Sequence, residues 1–371
     1  MKQQQWIHVL LFLLMIILFF FQLYRHRERY IKPYDFDYYA DQYLHSQYVE
    51  GEGSKYIVSD YDLYSFAGHY YFTGGEVSRV NFENPPLGKY LLGLSIYLFN
   101  NQVVIYIAYA LLYLWITYKF GILLLKRFDI GILALVLLVI DPYFLHAMSM
   151  PLLDLPMATF FLIGLYLFTT ARSMKWYVLS SVFFGISIAT KFFPFFAVIL
   201  LCLVLYQWRY RRQHFWTFIL TLPIIFLVYI ASFFEFFINR QQDLVAFFQY
   251  QWWVIRWRMG NPIVVGNILN GIFFGREKIW WTEGGGYVFW TEEWSILMPI
   301  TVITAFASIF ILEKKHLYKL FYGYVVIFMT YIIFLTEGGL KYLAPLYPFF
   351  ALFTAATLIK VGGKLTRYKS K

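Results

Sequence analysis

Hydrophobic and polar positions segregate along this chain in long blocks. Apolar runs recur, most of them of roughly 20 residues and long enough to cross a hydrocarbon core about 30 Å thick. They fall at 7–24, 102–125, 130–147, 152–171, 176–189, 192–206, 215–236, 295–312, 318–335 and 342–361. Two long polar stretches, 25–101 and 237–294, interrupt them. The run from Leu87 to Phe99 stops after thirteen residues at Asn100-Asn101. That is short for a crossing and suits a helix lying at the interface. The short alternating segments of a transmembrane barrel are absent. The pattern predicts an all-α, polytopic bundle of about ten spans in a single membrane domain over 1–371, with interfacial helices in the first outer loop.

Composition agrees. Of 371 residues, 60% are hydrophobic, 23% aromatic and 14% charged, against about 45–50% apolar and 25% charged in soluble domains. The net charge of +10 does not point to nucleic acid, because Lys and Arg sit mainly in short loops between spans. Lys126-Arg127, Arg172 and Lys175, Arg209, Arg211 and Arg212, Lys314-Lys315 and the tail from Lys364 all fall on one face if there are ten spans. The positive-inside rule makes that face, and both termini, cytoplasmic. Arg25, Arg27, Arg29 and Lys32 oppose this count, lying after the first span on the outer side. A lipid phosphate and plain solvent are both open as their partners. The first run is too long for a signal-peptide core and lacks a small-residue cleavage site, so it reads as an uncleaved span. One cysteine, Cys202, excludes an internal disulfide and a cysteine metal site.

Candidate chemistry concentrates in 59–89. Asp60 and Asp62 open the stretch; Glu83, Asn84, a Pro85-Pro86 pair and Lys89 close it. Carboxylates at an apolar rim become better bases toward a hydroxyl, although solvated loop acids would look the same. Asp35, Asp37 and Asp41 form a second acidic group, an alternative site, for which local ion pairing beside the basic Arg25–Lys32 stretch is the expected role. Asp154, at the outer end of a span, is the most informative membrane acid, since an ionisable group there is costly; a helix-start acid favoured by the dipole is the alternative. Asp141 ends the preceding span and fits a capping acid. Lys191 and Lys341 sit at the outer ends of spans, where a lysine either snorkels or meets an anion. Together with Lys89 they could converge on a phosphate. The second outer stretch carries Trp252, Trp253, Trp257, Trp280, Trp281, Trp290 and Trp294, as an interfacial belt or a sugar-stacking surface. Gly284-Gly285-Gly286 marks a turn there. No nucleotide-type glycine loop, GxSxG or HExxH occurs, His69 alone among the histidines lies near the acids, and no cofactor is predicted; metal dependence is open.

These motifs together resemble the GT-C class of membrane glycosyltransferases, in particular the protein O-mannosyltransferase and aminoarabinose transferase branch. In that family an acidic motif in the first outer loop precedes a His-Pro-Pro-Leu-Gly-Lys-type motif by about twenty residues; DYDLYSFAGHYYFTGG and Asn84-Pro85-Pro86-Leu87-Gly88-Lys89 resemble the two. Leu152-Leu153-Asp154 matches the family's Leu-Leu-Asp motif, flanked by Asp141-Pro142 and Ala189-Thr190-Lys191. KYLAPLYPFFAL is similar to a stretch near the end of the aminoarabinose transferase branch. Three positions depart from the pattern: Asp60-Tyr61-Asp62 replaces an Asp-Glu pair, Asn84 the motif histidine, and Met148 or Met150 an arginine often found before Leu-Leu-Asp.

The resemblance implies a polyprenyl-phosphate sugar donor, an acceptor hydroxyl on protein, lipid or glycan, and one in-line displacement with inversion at the outer face of the plasma membrane. It makes Asp60 the base, leaves Asp62 as the alternative, has Asp154 and Glu83 shape the site, and offers Lys89, Lys191 and Lys341, beside Asn84, for the donor phosphate. A transporter or flippase of lipid-linked sugars, and a noncatalytic membrane subunit, are the other functions these residues would fit.

Overall fold

A computed structural model describes residues 2–192, 194–260, 262–279, 286–289, 292–312 and 316–369. Trp280, Trp281, Trp290, Gly284, Gly285, Lys314 and Lys315 lie outside the described residues. The chain is dominantly helical, and each of the ten expected apolar runs coincides with one helix or with consecutive helices. Four helical stretches are individually long and apolar enough to cross a membrane: His8–Arg25, Ile105–Leu125, Arg212–Ala231 and Leu317–Leu335. The pair Phe128–Ile140 and Pro142–Ser149, bent by 71°, makes a fifth if taken as one span. Six further apolar helices are shorter, Leu87–Phe99 among them.

The chain forms two compact units. One comprises His26–Leu111 and Ala147–Asn261 and holds all but one of the candidate site residues. In its first polar segment, polar residues cap the helices. Asp35 accepts from the Tyr38 amide (3.0 Å) at the start of Phe36–Leu44, and Ser59 does the same for Asp62 at the start of Asp60–Phe72. Each satisfies an amide that the first helical turn leaves without a partner. Asp41 meets His45, Lys55 and the Tyr56 hydroxyl, a local pairing with downstream neighbours. The Pro85-Pro86 pair delays the next helix to Leu87–Phe99, since proline lacks an amide proton and restrains the residue before it. Asn100, left-handed at φ 48°, ends it.

The helices Asp60–Phe72 and Leu87–Phe99 cross at glycines. A Cβ on Gly93 would stand 2.3 Å from the Gly68 carbonyl oxygen and 2.4 Å from Phe72 Cβ. No other residue permits that approach. Behind them Asp154–Thr170 packs on Met174–Thr190, stitched by hydroxyls: Ser180 Oγ donates to Gly164 O (2.8 Å) and Ser187 Oγ to Met157 O (2.9 Å). Small residues and hydroxyls are the usual glue between helices in lipid, where burial of apolar surface gives no preference for a neighbouring helix.

The other unit comprises Met1–Arg25, Leu112–His146 and Pro262–Lys371. Phe128–Ile140 is its pivot, packing against both Lys2–Arg25 and Tyr347–Lys369, and the latter also packs on Leu297–Ile311. The bend after Ile140 has a cause in sequence: Pro142 cannot donate, and Asp141 caps the restart by accepting from the Tyr143 amide (2.9 Å) and from the Tyr347 hydroxyl. Asp141 is therefore the capping acid its position allowed. The all-α expectation misses one feature here, an antiparallel hairpin of Arg276–Ile279 and Gly286–Phe289. Four-residue strands within a loop carry too short an alternation to be read from sequence.

Candidate active site

Asp60 and Asp62 differ in surroundings. Both lie in the first turn of Asp60–Phe72. Asp62 occupies the third helical position, where Ser59 caps the helix: Ser59 Oγ accepts from the Asp62 amide at 3.4 Å and donates to the Asp62 carboxylate at 2.8 Å. Burial raises the Asp62 carboxyl above the ordinary carboxylate range, partly offset by the Ser59 hydrogen bond and by Lys32. Asp60 begins the helix, and Tyr64, one turn later, shares its face. Tyr64 is buried, and its Oη accepts from Asn84 Nδ2 at 3.4 Å. The Asp60 face is thus the one that adjoins the Pro-Pro motif. His69, farther along, is held between the rings of Tyr34 and Phe36.

Residues 81–84 form an irregular loop whose polar groups are taken up. Asn81 is left-handed at φ 45°, and its Nδ2 donates to Glu83 Oε1 at 2.9 Å. Lys89 is fully buried. Its ammonium donates to Asn81 O (2.7 Å), Asn84 O (2.6 Å), Asn81 Oδ1 (3.2 Å) and Tyr71 Oη (3.2 Å). With three protons, an ammonium facing four oxygens is saturated. Lys89, expected to hold a phosphate, has the loop backbone as its partner here. From the second polar segment, Arg258 at the end of Leu244–Arg258 donates through Nε (3.0 Å) and Nη2 (2.6 Å) to Glu83 O, and through Nη2 to Asn84 Oδ1 (2.9 Å).

Gly88 joins this loop to the membrane acid. A Cβ there would lie 2.8 Å from both Leu153 Cδ2 and Thr190 O, so the motif helix starts directly against the residues that precede Asp154 and Lys191. Those two form a buried ion pair. Lys191 Nζ stands 2.8 Å from each Asp154 oxygen, with 9% and 4% of the two side chains exposed. The Tyr106 hydroxyl donates to Leu152 O at 2.7 Å and fixes the turn before the acid. Phe192, next to Lys191, carries the Arg258 guanidinium 5.7 Å from its ring centre.

The structure therefore brings the Asp60 helix, Glu83–Lys89 and the Asp154–Lys191 pair into one contiguous neighbourhood. Lys341 belongs to the other unit. Its ammonium lies 3.7 Å from Glu337 and over the Tyr342 ring, on a loop that the buried Glu277 anchors by accepting from the Leu340 amide. Of the second-loop tryptophans, Trp253 and Trp257 pack on Phe82. Sequence reasoning passed over Arg258, Tyr64 and Tyr71. Arg258 sits beside Arg256 in a tryptophan-rich stretch and resembles any interfacial arginine. Arg29 also has a task that was not foreseen: its Nη1 donates to Ser149 Oγ (3.0 Å), just ahead of the Leu-Leu-Asp segment.

The fold is shared with solved structures. ArnT from Cupriavidus metallidurans bound to undecaprenyl phosphate superposes with a TM-score of 0.62 at 15% identity, over 95% of this chain and 60% of that one. The same protein in its apo state gives 0.60 at 14% identity, over 96% and 60%. The chain thus spans about three fifths of the length of these solved structures. The sequence matches no family model and no curated protein. With that fold and its apolar helices, the chain is an integral, multi-pass membrane protein.

Proposed function

We propose that this protein is a membrane glycosyltransferase that moves a sugar from a polyprenyl-phosphate donor to a hydroxyl acceptor. One observation carries the reading: carboxylates and amines from positions 60 to 191 gather in a single unit, at the ends of apolar helices, in a fold shared with a protein solved with undecaprenyl phosphate bound. A lipid-linked phosphate reaches such a place along the membrane.

The reaction needs a base on the acceptor hydroxyl, stabilisation for a departing phosphate, and a dry, shaped site. Asp60, on the helix face that carries Tyr64 toward the Pro-Pro motif, takes the proton. The acceptor oxygen then bonds to the anomeric carbon as the bond to the phosphate oxygen breaks. The electron pair leaves with the polyprenyl phosphate, and the configuration inverts. Lys191 supplies positive charge near the leaving group, while Glu83, Asn84 and Asp154 shape the pocket; Lys341 is a further candidate for the donor phosphate. Residues 25–101 and 237–294 face outward at the plasma membrane, with ten crossings and both termini in the cytoplasm.

The test is transfer from labelled undecaprenyl-phosphate sugars by purified protein in nanodiscs, with Asp60→Asn and Asp62→Asn beside the wild type. Loss with Asp60→Asn supports the assignment; full activity in both variants ends it. Mass analysis of surface glycans and lipids from cells lacking the protein identifies sugar and acceptor.

A further inference from the structure

Backbone carbonyls in a loop usually turn to water, yet in 81–84 four in succession are taken by side chains. Asn81 O and Asn84 O accept from Lys89. Phe82 O accepts from the Tyr250 hydroxyl at 3.1 Å. Glu83 O accepts twice from Arg258. The approach to the loop is bound in the same way, because the Tyr71 hydroxyl, which accepts from Lys89, reaches Val77 O (2.8 Å) and Val80 O (2.5 Å). Phe82 is also packed between Trp253 and Trp257, with ring centres 4.6 and 5.2 Å away. Two of the three clasping residues, Tyr250 and Arg258, belong to one helix of the second polar segment, Leu244–Arg258.

We infer that Arg258, with Tyr250 and Lys89, is a positioning residue that clasps the 81–84 loop and so fixes Glu83 and Asn84 for the reaction proposed above, on which this inference rests. The energetic logic favours a rigid loop over a ligand site at Lys89. Bonds from cations to carbonyls are among the stronger hydrogen bonds, and breaking one strands a buried carbonyl. Asn81 tolerates the left-handed conformation better than most residues, but that backbone persists only where its surroundings enforce it. The clasp makes the geometry of the first polar segment depend on a helix some 170 positions later in the chain. Asn84 gains a defined orientation: its Oδ1 is held by Arg258, which leaves Nδ2 to face Tyr64 on the Asp60 helix.

The experiment is amide hydrogen exchange of the peptides covering 78–90, run beside turnover of an undecaprenyl-phosphate sugar, on wild type, Arg258→Gln, Arg258→Lys, Lys89→Met and the double variant Arg258→Gln/Lys89→Met. Loss of a charge-assisted bond is expected to speed exchange of this segment about tenfold. It is also expected to lower kcat about tenfold with the donor KM and the affinity for undecaprenyl phosphate within about twofold, since the groups lost touch the loop and not the substrate. Arg258→Lys, which keeps one charged donor, restores part of both. The double variant falls short of the product of the single effects, because both cations hold one loop. Unchanged exchange in Arg258→Gln overturns the clasp. So does weakened undecaprenyl phosphate binding at unchanged exchange, which makes Arg258 or Lys89 a ligand contact. Exchange reports on the clasp even if the wild type shows no turnover with any lipid-linked sugar, an outcome that refutes the proposed reaction alone.

Discussion

Lys191→Met tests whether the Asp154–Lys191 pair is both built and used. The substitution keeps most of the side-chain volume and removes only the charge. The Asp154 carboxylate then stays buried, 4% exposed, having lost both 2.8 Å contacts with the ammonium. Removing one member of a buried pair costs about 3–5 kcal/mol, because the penalty is that of an uncompensated charge. Replacing both members with apolar groups of similar size is close to neutral. Asp154→Leu/Lys191→Met is therefore expected to recover the stability that Lys191→Met loses, while activity stays absent in both. Thermal unfolding in detergent, followed by size-exclusion chromatography, measures the first quantity, and sugar transfer the second. A single variant as stable as wild type would mean that the pair is hydrated and that the burial argument is wrong. A double variant with full transfer would mean that the pair is only structural and takes no part in the chemistry.

Other consequences follow from the same geometry. Asp60→Asn is expected to lower kcat by about 10²–10⁴, the usual worth of a general base, whereas Asp62→Asn keeps the Ser59 cap on its backbone amide and should leave most of the activity, and Ser59→Ala should cost about 1 kcal/mol of stability through the lost cap; transfer assays and melting curves separate the three. Because the Asp62 carboxyl lies above its ordinary range in the folded protein, folding takes up a proton there. Its contribution to stability is then present at acid pH and is lost as pH rises through the raised value; melting temperatures across the acid range should accordingly fall less steeply in Asp62→Asn than in wild type. Gly93→Ala places a Cβ against the Gly68 backbone and should destabilise by about 1–3 kcal/mol through overpacking, read by thermal unfolding. Gly88→Ala, obstructed by Thr190 O at 2.8 Å, should move the motif helix off Leu153 and depress transfer with Asp154 and Lys191 intact.

The sequence was most informative where a requirement is one-dimensional. Crossing a bilayer needs length and apolar composition, so the long runs could be read directly. Proline and asparagine at 85–86 and 100–101 mark the motif helix because their effects act on the backbone beside them. The acids could be shortlisted since charge near lipid is costly wherever it stands. Partnership is different. Nothing local distinguishes Lys89, held by loop carbonyls, from Lys191, held by a carboxylate; both are single lysines near the end of an apolar helix. Asp60 and Asp62 look interchangeable until the helix phase puts one against the Ser59 hydroxyl and the other on the Tyr64 face. Arg258 gave no local sign, because its partners are main-chain oxygens, which every sequence has.

That asymmetry bears on how the site is assembled. Asp154 stands on a helix that the membrane pattern specifies, while the groups that orient Glu83 and Asn84 come from helices in the polar stretches and bond to loop backbone. A substitution that keeps the carboxylates but weakens an orienting contact should leave the protein folded and slow. Tyr250→Phe is the sharpest case. It removes one hydroxyl and, with it, the bond to Phe82 O. The ring keeps its packing against Phe236 and Trp253, so the net cost in stability should be about 1 kcal/mol. If loop position governs the reaction, kcat drops by more than this fraction of stability can explain, with the amount of folded protein nearly unchanged. Equal turnover in Tyr250→Phe and wild type at matched folded protein would show that the Phe82 bond does not set the geometry of the site.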